Sequence, residues 1–235
     1  MSLLSKQFQH SPTAARIVPF ILFILAPIPQ DLFGPEYRYW FYMAKTILGA
    51  WLVWETRAFV SEMRWVISWE AIVVGIGVFV MWVGLDPFYP KLSEMMSKSG
   101  EAAAQAKPSP IWNPFLQFGA DAGTAWFFVA VRILGSTLVV PHLEEVFYRS
   151  FLYRYIAKVD WLSVPLDKFI LMPFVVTALI FASTHEQWLA AILCGFAYHG
   201  LVFYKKRLGD AMTAHAITNF LLGIYVVWKG AWQFW

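Results

Sequence analysis

VISWEAIVVGIGVFVMWVG, residues 66–84, holds one ionisable side chain, Glu70, in a run that is otherwise almost entirely apolar. A helix needs about 20 mostly apolar residues to cross the hydrocarbon core of a bilayer. Lipid offers no hydrogen-bond partners to an unpaired backbone, so a crossing segment of this kind must be helical or part of a closed barrel. The stretch therefore predicts a membrane-spanning helix.

The composition of the whole chain agrees with a membrane environment. Of 235 residues, 59% are hydrophobic and only 14% are charged, whereas a soluble domain carries about a quarter charged residues. The net charge of +3 is small and forms no basic stripe, so no nucleic-acid partner is expected. The one cysteine, Cys194, excludes an internal disulfide and is interpreted as a buried thiol.

Apolar segments of near-spanning length recur along the chain, separated by short polar breaks. They predict an all-α, polytopic membrane helix bundle of about eight hydrophobic segments, some of them re-entrant or broken. The segments are 17–29, 39–54, 66–84, 118–140, 141–157, 166–183, 187–204 and 209–228. The first lacks a small-residue cleavage site and is taken as a retained span rather than a signal peptide.

The domain organisation is predicted to be simple. No internal repeat and no domain boundary is evident, which predicts a single integral membrane domain over 1–235. Within it we distinguish a polar loop at about 86–114 and a motif-bearing half at about 118–230.

Basic residues predict the orientation of the bundle. Positive charge is concentrated in three groups: Arg16, Arg57 and Arg64; Arg154, Lys158 and Lys168; and Lys205, Lys206 and Arg207. The positive-inside rule places these groups in the cytoplasm and the loop at 86–114 on the other side. With eight crossings this is consistent only if 141–157 does not span fully or one group is misassigned, and the sequence leaves both alternatives open.

The first polar group inside an apolar segment is EEVFYR, residues 144–149. On a helix Glu145 and Arg149 lie one turn apart and can form an ion pair, which suggests a structural role. Glu144 is rotated by about 100° and has no partner in this segment. A carboxylate in an apolar site suits a general base, since burial raises the pKa of such a group. A purely structural ion pair beside a snorkelling Glu144 is the alternative.

Two further groups follow, FASTH at 181–185 and HAITN at 215–219. In each, the first and last residues are four positions apart and share one helix face. His185 alone would more often be a packed histidine than a catalyst, and the sequence HEQWL lacks the second histidine of a zinc HExxH motif. His215 and Asn219 can join helices by hydrogen bonds or stabilise an oxyanion. Together the three groups supply the parts for activating water against a carbonyl.

As a set, the three motifs resemble the CAAX-protease and bacteriocin-processing (Abi) family, which is related to the type II CAAX prenyl endopeptidases. That family is recognised by EExxxR, FxxxH and HxxxN or HxxxD in this order, and all three stand intact between residues 144 and 219. The resemblance implies a bundle of about eight helices with a cavity that opens to the cytosolic side. It also implies an intramembrane endopeptidase.

The resemblance implies a role for each motif residue. Glu144 and His185 would activate the hydrolytic water, His215 and Asn219 would form the oxyanion site, and Glu145, Arg149 and Phe181 would shape the cavity. We expect no metal cofactor, because the His/Asn spacing suits hydrogen-bond donors better than ligands. Zinc is the alternative, and its ligands would be Glu144, His185 and His215.

The expected partners are membrane lipid and a peptide or protein substrate with a lipidated or hydrophobic C-terminus. A non-catalytic immunity or scaffold protein of the same family is the second hypothesis. In that case Glu144 would be dispensable, whereas Glu145 and Arg149 would hold the bundle together. A transporter is disfavoured because no inverted repeat is present.

Overall fold

The structure, a computed structural model, describes residues 3–97 and 111–235, so that 98–110 of the predicted polar loop lie outside the described residues. Within these ranges all regular structure is helical, which confirms the all-α prediction. The helices are α1 (Leu3–His10), α2 (Pro12–Leu25), α3 (Arg38–Thr56), α4 (Trp69–Leu85), α5 (Leu92–Ser97), α6 (Pro114–Phe118), α7 (Gly123–Ala157), α8 (Leu171–Ala182), α9 (Trp188–Lys205) and α10 (Gly209–Lys229).

Several helices are able to cross a bilayer. Among the described residues, five stretches have the length and apolar composition of a span: Pro12–Gln30, Trp69–Met96, Gly123–Ala157, Trp188–Lys205 and Gly209–Lys229. The apolar helix α8 has 12 residues, about 18 Å at 1.5 Å per residue, so it is too short for a full crossing. The multi-pass prediction is confirmed, and short elements such as α8 fit the expected broken segments.

The segments predicted separately at 118–140 and 141–157 form one helix, α7. Proline has no backbone N–H to donate, yet the helix continues through Pro141. A π-helical segment, Gly135–Val139, precedes the proline, and the N–H of Val140 bonds to the carbonyl of Gly135, five residues back. This shift in hydrogen-bond register lets α7 continue through the proline.

A single crossing by α7 resolves the orientation problem, since the three basic groups now come to one end of the bundle. Arg16 on α2 and Arg154 on α7 both approach Glu62, at 2.7 and 3.9 Å. Lys205 bonds to Glu70 at 2.8 Å, which ties the end of α9 to the start of α4. We call this end, formed by residues 5–16, 55–70, 150–168 and 205–210, the basic end.

The opposite end is formed by residues 38–42, 82–92, 111–128, 185–188 and 232–235, and we call it the distal end. Here Tyr39 donates to the carbonyl of Asn113 at 2.8 Å, and Trp188 donates to that of Pro90 at 3.0 Å. The ring of Trp235 packs on Trp112. Aromatic residues thus close the end at which the helix-to-helix turn 183–187 lies.

Close packing of α4 against α10 fixes the position of the third motif. A Cβ added to Gly75 would lie 2.7 Å from the carbonyl oxygen of Ala214, so only glycine allows this approach. The hydroxyl of Thr218 donates to the carbonyl of Gly75 at 2.8 Å and accepts a hydrogen bond from Tyr198 at 2.7 Å. Small residues and interhelical hydrogen bonds commonly join membrane helices in this way.

Candidate active site

The four residues predicted to be catalytic line one cavity between α7, α9 and α10. It has a volume of about 180 Å³, and Glu144, His185, His215 and Asn219 all contribute to its wall. The structure therefore brings together side chains from three motifs that are far apart in the sequence. Their catalytic roles remain predictions.

The predicted ion pair is present at the back of this cavity. Arg149 Nη1 donates to Glu145 Oε1 at 3.0 Å, and both side chains are almost fully buried, with 1% and 0% of their surface exposed. The Arg149 guanidinium also lies 4.9 Å from the ring centroid of Phe181 and 5.8 Å from that of Tyr198. An aromatic shell of this kind stabilises a buried cation.

Glu145 has a second contact that the sequence did not predict. Its Oε1 atom lies 2.9 Å from His215 Nδ1, and because a carboxylate only accepts, Nδ1 must carry the hydrogen. The imidazole is also stacked on Tyr198, with ring centroids 5.2 Å apart. His215 Nε2 is thereby turned toward Glu144, 3.9 Å from its Oε2 atom. A neutral His215 offers an acceptor at Nε2, and only the imidazolium offers a donor.

Glu144 differs from its neighbour in having few partners. Its Oε2 atom is buried and has no hydrogen-bond partner among the described residues. The nearby cation Lys45, on α3, interacts with it electrostatically and lies over the ring of Phe23 at 4.2 Å. Buried polar atoms are normally satisfied, so an orphaned carboxylate oxygen in a cavity indicates a place for water or a ligand.

His185 lies in the turn that follows α8, at the distal end of the cavity. Its Nδ1 atom lies 2.8 Å from the carbonyl of Phe181 and must carry the hydrogen, which leaves an acceptor at Nε2. Phe181 and Trp82 pack on the imidazole, at 4.5 and 5.7 Å between centroids. Burial lowers the pKa of His185 below its ordinary value, although Glu144 acts in the opposite direction. The neutral ring is therefore the resting form.

Asn219 lies one turn beyond His215 on α10. In the described part of the chain, its amide donates one hydrogen bond, to the carbonyl of Ser136 at 2.8 Å. Ser136 belongs to the π-helical segment of α7, so the same irregularity that admits Pro141 also helps to hold Asn219. The second amide hydrogen remains for a ligand in the cavity.

Two cations at this site were present in predicted spans but received no role from the sequence. Arg132 lines the cavity, and its guanidinium lies 4.4 Å from the ring of Trp112 and 4.8 Å from that of Tyr42. Lys45 is the second. The signal that could have found them is a charged side chain inside an apolar helix, which marks functional positions in membrane proteins.

The donor atoms of the cavity bear on whether a metal fits the site. His185 and His215 direct their Nδ1–H groups to a carbonyl and a carboxylate, an orientation that prepares Nε2 for a metal or for water. Within residues 3–97 and 111–235, however, no three His, Cys, Asp or Glu side chains are grouped so that they could hold a metal ion. The donors of the predicted zinc alternative thus fit in chemistry but are not gathered as a ligand set.

The cavity lies toward the distal end. Trp82, Gln187 and Trp235, all from the distal end, contribute to its wall. That the basic loops and the cavity opening both face the cytoplasm stays a prediction.

Comparison with protein families gives a match that covers the site. Residues 125–221 match the family model described as type II CAAX prenyl endopeptidase Rce1-like. Comparisons with curated proteins and with solved structures find no match. The matched range contains all three motifs and all four cavity residues named above. The resemblance inferred from the motifs is thereby confirmed, and over residues 125–221 this chain is similar to the Rce1-like type II CAAX prenyl endopeptidases.

Proposed function

We propose that this protein is an intramembrane endopeptidase that hydrolyses a peptide bond of a membrane-associated peptide or protein. The observation that carries the proposal is the meeting of Glu144, His185, His215 and Asn219 in one cavity inside an apolar bundle. Charged and hydrogen-bonding side chains are costly there and are retained mainly for function. The family match supports a protease, and no observation favours the immunity or scaffold alternative.

In this proposal Glu144 and His185 activate water. The unpartnered Oε2 atom of Glu144 accepts a proton as the water oxygen attacks the carbonyl carbon of the substrate. Nε2 of neutral His185 accepts the other hydrogen of that water and orients it. A positioned base of this kind contributes about 10²–10⁴-fold to a rate.

The oxyanion is stabilised from α10. The free amide hydrogen of Asn219 donates one bond, and His215 donates the other from Nε2 when it is an imidazolium. That form makes the buried cluster electrically neutral, since His215 and Arg149 then balance Glu144 and Glu145. When the intermediate collapses, the C–N bond breaks, and the leaving amine takes the proton that Glu144 received.

The reaction as proposed requires no metal. If zinc were bound, Glu144, His185 and His215 would hold it, and it would supply Lewis-acid activation of the water and the carbonyl. Metal analysis of the purified protein, together with a chelator test of activity, separates the two mechanisms. Loss of activity with chelator and recovery with zinc would exclude the metal-free mechanism.

The proposed substrate is a peptide or protein segment with a lipidated or hydrophobic C-terminus. Aromatic and apolar side chains make up much of the cavity wall, including Trp82, Phe181 and Phe234. Such a wall accepts an apolar segment that enters from lipid or from the membrane surface. Nothing in the charge distribution favours nucleic acid.

The proposal is tested with purified protein and a library of apolar peptides, with cleavage detected by mass spectrometry. Wild-type protein should release products, and Glu144→Gln should lower the rate about 10²–10⁴-fold because the base is lost. Glu94→Gln, which makes the same change at an exposed position on α5, is the matched control. Full activity of Glu144→Gln would show that another group is the base.

A further inference from the structure

A second cavity lies at the basic end, away from the candidate active site. It has a volume of about 440 Å³ and is enclosed by the segment between α3 and α4, the segment after α7, and the turn between α9 and α10. Its lining is strongly cationic, with five basic side chains and one acidic side chain. These are Arg16, Arg64, Arg154, Lys206, Arg207 and Glu62.

Part of this charge is neutralised within the protein. Arg16 bonds to Glu62 at 2.7 Å, and Arg154 lies 3.9 Å from the same carboxylate. Arg207 pairs with the fully buried Asp210 at 2.5 Å. These contacts occupy three of the five cations.

The other two cations are weakly engaged or have no partner. Lys206 Nζ lies 3.6 Å from Asp167, but the Lys206 side chain is 74% exposed, and such a pair contributes little. Arg64 is exposed, and its guanidinium has no ion-pair partner in the residues that the structure describes. Even with Asp167 and Asp210 counted, the lining keeps two positive charges in excess.

The backbone at Lys206 gives a second indication. Lys206 ends helix α9 in the left-handed region, with φ +57° and ψ +25°, and in the described ranges it is the one residue other than glycine with positive φ. Glycine is favoured in this conformation, which costs other residues about 1–2 kcal/mol. A lysine thus stands where glycine would fit better, and its side chain lines the cationic cavity.

We propose that this cavity binds the phosphate of an anionic phospholipid. Arg64 and Lys206 would contact the phosphate oxygens, while Leu162 and Leu166 in the same lining would contact the apolar part of the lipid. The positive-inside rule accounts for basic loops at this end but not for a concave site with leucine walls. It also places the cavity in the cytoplasmic leaflet, where basic pockets between helices meet anionic headgroups. Free phosphate would make the same contacts with Arg64 and Lys206.

The test is thermal unfolding of the delipidated full chain in detergent, with additions of phosphatidylglycerol, phosphatidylcholine or inorganic phosphate. Phosphatidylglycerol at about 100 times its Kd should raise Tm by about 5 °C or more over phosphatidylcholine. Lys206→Gly should lose most of this shift while its lipid-free Tm stays equal or rises, because glycine relieves the backbone strain. Arg64→Gln should lose the shift as well.

The control is Arg57→Gln, a change at an exposed arginine of the same connecting segment that stacks on Trp54 and lies outside the cavity lining. It should keep the full shift. An equal shift with inorganic phosphate would identify free phosphate as the source of the same ligand chemistry. Equal shifts with phosphatidylglycerol and phosphatidylcholine, or a full shift in Lys206→Gly and Arg64→Gln, would overturn the proposal. The readout does not depend on peptide cleavage, so it stands apart from the proposed protease activity.

Discussion

Helix α7 contributes to two ionic clusters, one through Ser150 and Arg154 and the other through Glu144, Glu145 and Arg149, and they differ in how well their polar atoms are satisfied. Near the basic end, Glu62 accepts from Arg16 and from the hydroxyl of Ser150, with Arg154 close by. At the candidate site, Glu145 is bonded to Arg149 and His215, but buried oxygen atoms of both Glu144 and Glu145 have no partner in the described residues.

The two clusters therefore have different roles, although they are built from the same residue types. A satisfied buried carboxylate stabilises the arrangement of helices, and its removal leaves its cationic partners unpaired. A carboxylate with an unsatisfied oxygen contributes little to packing and remains available for water or substrate. The distinction assigns Glu62 to stability and Glu144 to chemistry, although both lie among apolar helices.

Replacing Glu62 is the strongest way to test this comparison. Glu62→Gln keeps the shape of the side chain but removes the charge that compensates Arg16 and Arg154, so we expect a loss of about 3 kcal/mol in the free energy of unfolding. Glu144→Gln should cost almost nothing in the same measurement. Thermal or denaturant unfolding in detergent compares the two, and equal losses would contradict the distinction.

The Glu62 cluster also shows which contacts the sequence did not predict. The apolar runs predicted the helices, and a spacing of four residues predicted the Glu145–Arg149 pair, because both depend on local periodicity. The contact of Glu62 with Arg16 joins positions 46 residues apart, and that of Glu145 with His215 joins positions 70 apart. Such long-range contacts do not follow from local periodicity, because they depend on how the helices pack.

Pro141 shows a second limit. Proline usually ends or kinks a helix, and the predicted segments were divided at 140/141, directly before Pro141. The helix continues because the preceding π-helical segment shifts the hydrogen-bond register, and the pattern of apolar residues does not mark that segment. The error also affected the orientation, since one extra crossing made the three basic groups inconsistent with one another.

Glu145 is intermediate between Glu62 and Glu144, because one of its oxygen atoms is bonded and the other has no partner in the described residues. Its replacement should have an intermediate effect on cleavage. Glu145→Gln keeps an acceptor for His215 Nδ1 but removes the negative charge that Arg149 and His215 share. We expect cleavage to fall about 10–100-fold, as is typical when a group that orients a catalytic histidine is changed. The fall should appear in kcat of the folded protein, and this separates the effect from a loss of packing around Arg149. An unchanged kcat with a lower Tm would mean that Glu145 is structural only.

The smallest expected effect is a shift in the pKa of His185, which can be measured without a substrate. Since burial lowers the pKa of His185, its NMR titration in detergent micelles should have a midpoint below the ordinary value of about 6.5. The His185→Gln spectrum supplies the assignment. Lowering the pH from 7 should therefore leave the ring neutral until the pH is below that value, so the Nε2 acceptor persists at pH 7.

The burial argument also predicts how to move that midpoint. Trp82 packs edge-on against His185 with centroids 5.7 Å apart, and it is itself buried. Trp82→Ala admits water beside the imidazole, so the midpoint should rise toward 6.5, while Trp69→Ala, at an exposed tryptophan at the other end of α4, should leave it unchanged. A midpoint that stays put in Trp82→Ala would assign the lowered pKa to the neighbouring charges instead. Candidate acids and bases would then have to be ranked in this bundle by their ionic partners rather than by their burial.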